Sequence, residues 1–220
     1  MARGEHGALR IGVHGLIVGG FLERLLDRFR GLHAEVDLCI TEGTARETQI
    51  QVREDRLDVA FMACTQEIPD LHSRVVWRDR LMVAMSETHP LAQHGRIEWK
   101  DLSAETFLAR ESGTGPQVHG LIVVRAAGKW PVPNILRLAA GRGSLLAMIA
   151  AGQGMSLFVA ENLDLVPSGV VAREIADESG TVAFSAVWSP YNQSKTLRNL
   201  LDLAMKVGRS ALFDPAAQPR

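Results

Sequence analysis

"GSLLAMIAAGQGMSLFVA", residues 143–160, decides how the chain folds. Leu145, Met148 and Ile149 stand three and four residues apart, on one helical face. Ser144 reads as the N-cap of that helix. Gly152 suits the left-handed conformation that ends a helix, and Gly154 suits a tight turn. The run "MSLFV" that follows is short and apolar, a buried strand. A helix that passes at once into a buried strand is the second half of an α/β connection.

The same grammar governs the start of the chain. "ALRIGV" sets Leu9, Ile11 and Val13 on one side of a strand. "GGFLERLLDRFRGLH" is an amphipathic helix with Phe21, Leu22, Leu25, Leu26 and Phe29 as its apolar stripe, ended near Gly31. "VDLCI" alternates again, with Val36, Leu38 and Ile40 on one face. Thr44 caps a helix that runs to about Glu54, and Glu47 completes a capping box. "LDVAFMAC" is a continuous apolar strand, the kind buried on both faces of a parallel sheet. Strand, helix, strand, helix, strand is the doubly wound α/β signature.

Downstream, "VVWRD" and "LMVAMS" read as two strands and "ETHPLAQHG" as a loop. "DLSAETFLAR" is a helical turn leading into a strand, "ESGTGPQVHG" enters a helix over 118–127, and "ILRLAA" is a further strand. After Pro167 the pattern changes, with strands in "VVAREI" and "TVAFSAVWS". Ser194 caps a last helix whose stripe is Leu197, Leu200, Leu201, Ala204 and Val207. "GRSALFDPAAQPR" reads as a frayed tail.

Composition narrows the function. The 220 residues carry 24 basic and 25 acidic side chains, a net charge of -1, without a Lys/Arg-rich run. That does not mark a nucleic-acid or membrane-surface binder. Cys39 and Cys64 each sit in an apolar run, as free core thiols do, and they suggest neither a disulfide framework nor a zinc site. "MARGEHGALRIG" has no apolar leader segment, and no window is long and apolar enough for a membrane span. The expectation is a soluble cytoplasmic protein.

Catalytic signatures such as G-x-S-x-G, H-E-x-x-H and the P-loop do not occur. The glycines of "GVHGLIVGG" read as a strand-to-helix turn rather than a dinucleotide fingerprint, and no cofactor is implied. The histidines are scattered without helical pairing, so no metal site is expected. His14 differs in standing at the C-terminal end of the first strand, where open α/β sheets place ligands. Thr44 starts a helix at the same edge, and a helix N-terminus suits a carboxylate. Ser112, Gly113 and Thr114 form a third donor-rich loop after a strand. Jointly these loops favour a small-molecule pocket.

Taken in order, "ALRIGV", "FLERLLDRFRGLHAEVDLCITEGT", "DRLDVAFM", "WRDRLMVAMSETHPLA", "WKDLSAETFLAR", "LLAMIAAGQGMSLFVA" and "TLRNLLDLA" resemble the effector-binding domain of LysR-type transcriptional regulators. The likeness covers roughly residues 9 to 205, and "HPLA" followed by "IAAGQGMSL" is its most specific part. The resemblance implies an α/β fold of two Rossmann-like subdomains joined by two crossover segments, like type 2 periplasmic binding proteins. Its boundaries would be a leader or linker remnant at 1–8, subdomain I at 9–79 with 171–207, subdomain II at 80–170, and a tail at 208–220.

It further implies a ligand-sensing domain that binds a small polar or anionic effector in the cleft between subdomains, near His14, Leu16, Thr44, Cys64, Glu111, Ser112 and Phe158. Thr44 matches the family's pocket threonine. Leu16 stands where sensors of aromatic acids often carry a hydroxyl, and Ala63 where an arginine is often found, so a typical aromatic carboxylate is not implied. A homodimer would form through the two amphipathic helices, with Leu25, Arg28, Leu145 and Met148 at the interface, and a tetramer is open to the full-length regulator. Family regulators carry a helix-turn-helix ahead of this domain. Here only "MARGEH" precedes the first strand, so the expectation is that DNA is reached only through that missing part. Two alternatives share the fold. One is a solute-binding protein of a transport system. The other is a small bilobal enzyme using acid–base residues such as Glu42, Asp58 and Glu111.

Overall fold

The computed structural model describes residues 7–15, 19–63, 67–161, 166–178 and 180–213, with side chains described through residue 208. In chain order the elements are β1 (Leu9–Val13), α1 (Phe21–Leu32), β2 (Leu38–Glu42), α2 (Ala45–Arg53), β3 (Val59–Ala63), β4 (His72–Ser86), β5 (Thr106–Arg110), α3 (Gly115–Ala126), β6 (Asn134–Leu138), α4 (Arg142–Ala150), β7 (Ser156–Val159), β8 (Val170–Glu174), β9 (Thr181–Trp188) and α5 (Lys195–Phe213). The chain divides into two compact units, residues 1–78 with 183–220, and residues 79–182.

In the first unit β1 is central. It pairs in parallel with β2 on one side and β3 on the other, and β9 runs antiparallel to β3 with Ala186 opposite Phe61. Leu9, Ile11 and Val13 are buried, as the alternation requires. The α1 stripe of Phe21, Leu22, Leu25, Leu26 and Phe29 is buried throughout. Fully burying a side chain of this size contributes roughly 1.5–3 kcal/mol. Trp77 is sandwiched between Phe21 and Phe184, with ring centroids at 4.5 and 4.4 Å. β2 is the edge strand, so the expected core thiol Cys39 is exposed, as is Ile40.

In the second unit the C-terminal half of β4 pairs antiparallel with β7, Met82 opposite Phe158, and with β8, Ala84 opposite Ala172. β5 and β6 are parallel, with Leu108 opposite Leu136. The start of β7 is tied to β5 where the Leu108 N–H donates to the Met155 carbonyl at 2.7 Å. One core gathers Val83, Met85, Ile97, Trp99, Leu102, Phe107, Ile122 and Leu157. A second gathers Leu108, Leu145, Leu146, Ile149 and Phe158.

The stretch 143–160 folds by the expected logic with one shift. α4 begins at Arg142 with Gly141 as its N-cap, so Ser144 lies in the first turn rather than at the cap. Gly152 has φ +72°, its N–H donates to Ile149, and the Gln153 N–H donates to Met148. Gly154 has φ +155°, and a Cβ there would lie 2.8 Å from the Thr106 carbonyl oxygen. Any other residue would push β7 away from β5.

Other boundaries also move. "VVWRD" and "LMVAMS" form the single strand β4. Because β8 pairs with the second-unit half of β4, residues 171–182 belong to the second unit, and the chain returns at Ala183 rather than near Val171. α3 starts at Gly115, earlier than expected, and α5 continues beyond 207 to Phe213.

Candidate functional site

The C-terminal edge of the parallel strands β1 and β2 carries the first set of candidates. His14 follows β1 and is half-buried, its ring centroid 5.7 Å from that of Phe184. The Gly43 N–H donates to the Val13 carbonyl at 2.9 Å, which holds Thr44 beside this edge. Leu16 and Cys64 lie outside the described residues.

Thr44 caps α2 through a complete capping box. Its hydroxyl donates to Glu47 Oε2 at 2.8 Å and accepts from the Glu47 N–H at 3.3 Å. The Thr44 N–H donates to the same carboxylate at 2.7 Å. These bonds, the backbone one foremost, hold the Glu47 carboxyl below the usual carboxylate range. A carboxylate of the chain therefore already occupies the positive end of α2. The Thr44 hydroxyl and amide are both engaged by Glu47.

Asp58, a candidate acid–base residue, is locked into a polar knot. Arg10 donates to it from Nε at 3.0 Å, from Nη2 at 2.9 Å and from the backbone at 2.8 Å, and Asn192 Nδ2 adds a bond at 3.2 Å. Burial alone would raise this carboxyl, but the Arg10 bonds and charge and the Asn192 bond outweigh it and hold it low. Such a group stays ionised and paired, which is unsuited to proton transfer. Glu42 and Glu111 are exposed at the ends of strands in different units.

In the second unit Arg110 ends β5, Glu111 and Ser112 are exposed, and α3 starts at Gly115. The turn is tight: a Cβ on Gly115 would lie 1.6 Å from the Arg110 carbonyl oxygen. Gln117 in the first turn of α3 has a buried Oε1 without a donor among the described residues. Phe158, expected to line a pocket, is buried in the unit's core, and the Arg142 guanidinium stands over its ring at 5.8 Å. Burial, then the neighbouring charge of Arg110, lowers the pKa of Arg142 from the ordinary arginine value.

The expected interface residues divide. Leu25 and Leu145 are buried within their own units' cores. Arg28 is exposed and Met148 half-buried.

Arg142 is the first residue of α4, where a cation opposes the helix dipole. No group of His, Cys, Asp and Glu suited to a metal ion occurs among the described residues, and no helix among them is long and apolar enough to cross a membrane.

Comparison with known proteins places this geometry. A family profile described as "LysR substrate binding domain" matches residues 2–209. An uncharacterized HTH-type transcriptional regulator of Bacillus subtilis (strain 168), YvbU, is 24% identical over 174 residues, covering 78% of this chain and 57% of its own length. The HTH-type transcriptional regulator BenM of Acinetobacter baylyi is 27% identical over 169 residues, covering 72% of this chain and 55% of its own. The chain thus spans about half the length of the curated relatives it matches. Among solved structures, the BenM effector binding domain with its effector benzoate superposes with a TM-score of 0.78 at 19% identity, covering 97% of this chain and 98% of that one.

Proposed function

Because the chain belongs to the LysR substrate-binding domain family, we propose that it is the ligand-sensing regulatory domain of a LysR-type transcriptional regulator, and a binding module rather than an enzyme. The observation that carries this reading is the family match over residues 2–209. The edge formed by β1 and β2, with His14 and Gly43 beside it, gives the ligand an address in the first unit. The engagement of Asp58 by Arg10 supports binding over acid–base catalysis.

A ligand controls such a protein only by binding one of its states better than another. The signal then passes to DNA through a part of the longer protein. Homodimerisation is read through the exposed faces of α1 and α4, where Arg28 and Met148 remain available to a partner.

The test is a thermal-shift screen of small organic acids on this chain. The reading expects at least one to raise the melting temperature in a saturable way while remaining chemically unchanged after incubation. Conversion of the stabilising compound into a product would contradict it.

A further inference from the structure

The first unit holds a cavity of about 160 Å³ that β4, β9 and α5 line together. Its apolar wall is Val76 of β4, Trp188 at the end of β9, and Leu201 and Met205 of α5. An apolar cavity of about this size takes up a benzene ring. On α5 the cavity meets a stripe of its own, Arg198, Leu201, Asp202 and Met205, three and four residues apart. This stripe runs beside the buried one of Leu197, Leu200 and Ala204. The walls are held close at Gly208, where a Cβ would lie 1.9 Å from the Val76 carbonyl oxygen.

Arg74, Arg198 and Asp202 stand at the rim, and all three are exposed. Among the described residues, the side chains of Arg74 and Asp202 form no hydrogen bond or ion pair. Arg198 and Asp202 are one helical turn apart, yet Arg198 donates to the Gln193 carbonyl instead. An arginine N-terminal to an acidic residue is the weaker order for such a helical pair. Two cations and one anion therefore ring an apolar cavity without pairing with one another.

We propose that this cavity binds an apolar α-amino acid, with its carboxylate on Arg74 and Arg198, its ammonium on Asp202 and its side chain against Trp188, Leu201 and Met205. Guanidinium forks match a carboxylate in geometry. A plain acid leaves Asp202 without a cation, and a plain amine meets two arginines. The volume admits one ring-sized or branched side chain. No residue of the β1–β2 edge lines the cavity, so this site is additional to the one the ligand-sensing reading uses and does not depend on it.

The experiment is calorimetric titration of the whole chain, at constant ionic strength, with L-phenylalanine, 3-phenylpropionate and phenethylamine. Wild type binds L-phenylalanine saturably and each singly charged analogue about tenfold more weakly or worse. Asp202→Asn loses about tenfold of the phenylalanine affinity and keeps that for 3-phenylpropionate. Arg74→Gln weakens both of these ligands. Met205→Trp fills the cavity and abolishes binding. Positions 74 and 202 are exposed, so these two variants melt like wild type without ligand. Should either fail to fold, the other still removes one charge from the rim. Three results overturn the proposal: no saturable binding of L-phenylalanine to wild type, equal affinity for 3-phenylpropionate, or unchanged phenylalanine affinity in Asp202→Asn or Arg74→Gln. Each leaves the sensing reading standing, because a small acid that stabilises the chain from another site is indifferent to both substitutions.

Discussion

Arg10 and Asp58 join the start of β1 to the chain just before β3, and Asn192 ties the loop ahead of α5 to the same carboxylate. A second buried carboxylate, Glu178, receives Arg125 Nε and Nη2 at 2.6 Å each and the Trp99 indole at 3.0 Å. Burial would raise both carboxyls, but these bonds outweigh it and hold both low. A carboxyl whose folded pKa lies below its unfolded value of about 4 contributes stability that is complete above that value and is lost as pH falls through the folded one. Asp79 runs the other way. Its burial outweighs the bonds from the Arg80 and Glu161 amides and raises it, so its contribution is lost as pH rises through its folded value. Urea unfolding between pH 5 and pH 3 should therefore show wild type losing more stability than Asp58→Asn. The variant should also be about 2 kcal/mol less stable at pH 7, because it weakens bonds to a charged partner. Equal pH slopes for the two proteins would contradict this. The positions of His14 and Thr44 just beyond β1 and β2 could be read from the sequence, because each lies within two residues of a strand's end. The placement of Arg110 opposite Leu138 could not, because it depends on the pairing of β5 with β6, and one sequence does not spell strand pairing.

At the scale of elements, the capping box of α2 is legible because Thr44 and Glu47 are local in sequence, and local hydrogen bonds need no tertiary information. Thr44→Val should destabilise the chain by about 1 kcal/mol through the lost cap, measured by thermal or chemical unfolding without ligand. An unchanged stability would mean that Glu47 alone satisfies the helix end. Gly154→Ala should cost more, on the order of 1–3 kcal/mol, because φ +155° and the nearby Thr106 carbonyl both resist a Cβ. The start of α4 was misplaced because serine is a stronger cap signal than the glycine used, Gly141. The exposure of β2 was missed because alternation tells which residues share a face, but not whether the strand has a neighbour on both sides. The continuity of β4 through Asp79 hid for a related reason, since a charged residue reads as a break until its carboxylate is seen accepting two backbone bonds.

For the whole molecule, the order of strands and helices carried the fold class, and the family match over residues 2–209 agrees with it. The point of return to the first unit was not legible, because β8 and β9 follow one another as similar apolar strands and only pairing separates them. The dimer reading yields a sharp contrast. Met148→Glu and Arg28→Glu should shift sedimentation toward monomer while leaving far-UV dichroism intact. Leu25→Glu should instead unfold the chain, because that side chain is 0% exposed within its own unit. A folded monomeric Leu25→Glu protein would contradict the assignment of α1 faces. Calorimetric titration of the best stabilising small acid into wild type and His14→Ala decides whether the chain senses a small ligand. A sensor binds one ligand per chain saturably, and loss of the imidazole weakens that binding about tenfold. Turnover of the ligand, or an identical affinity in both proteins, would contradict it.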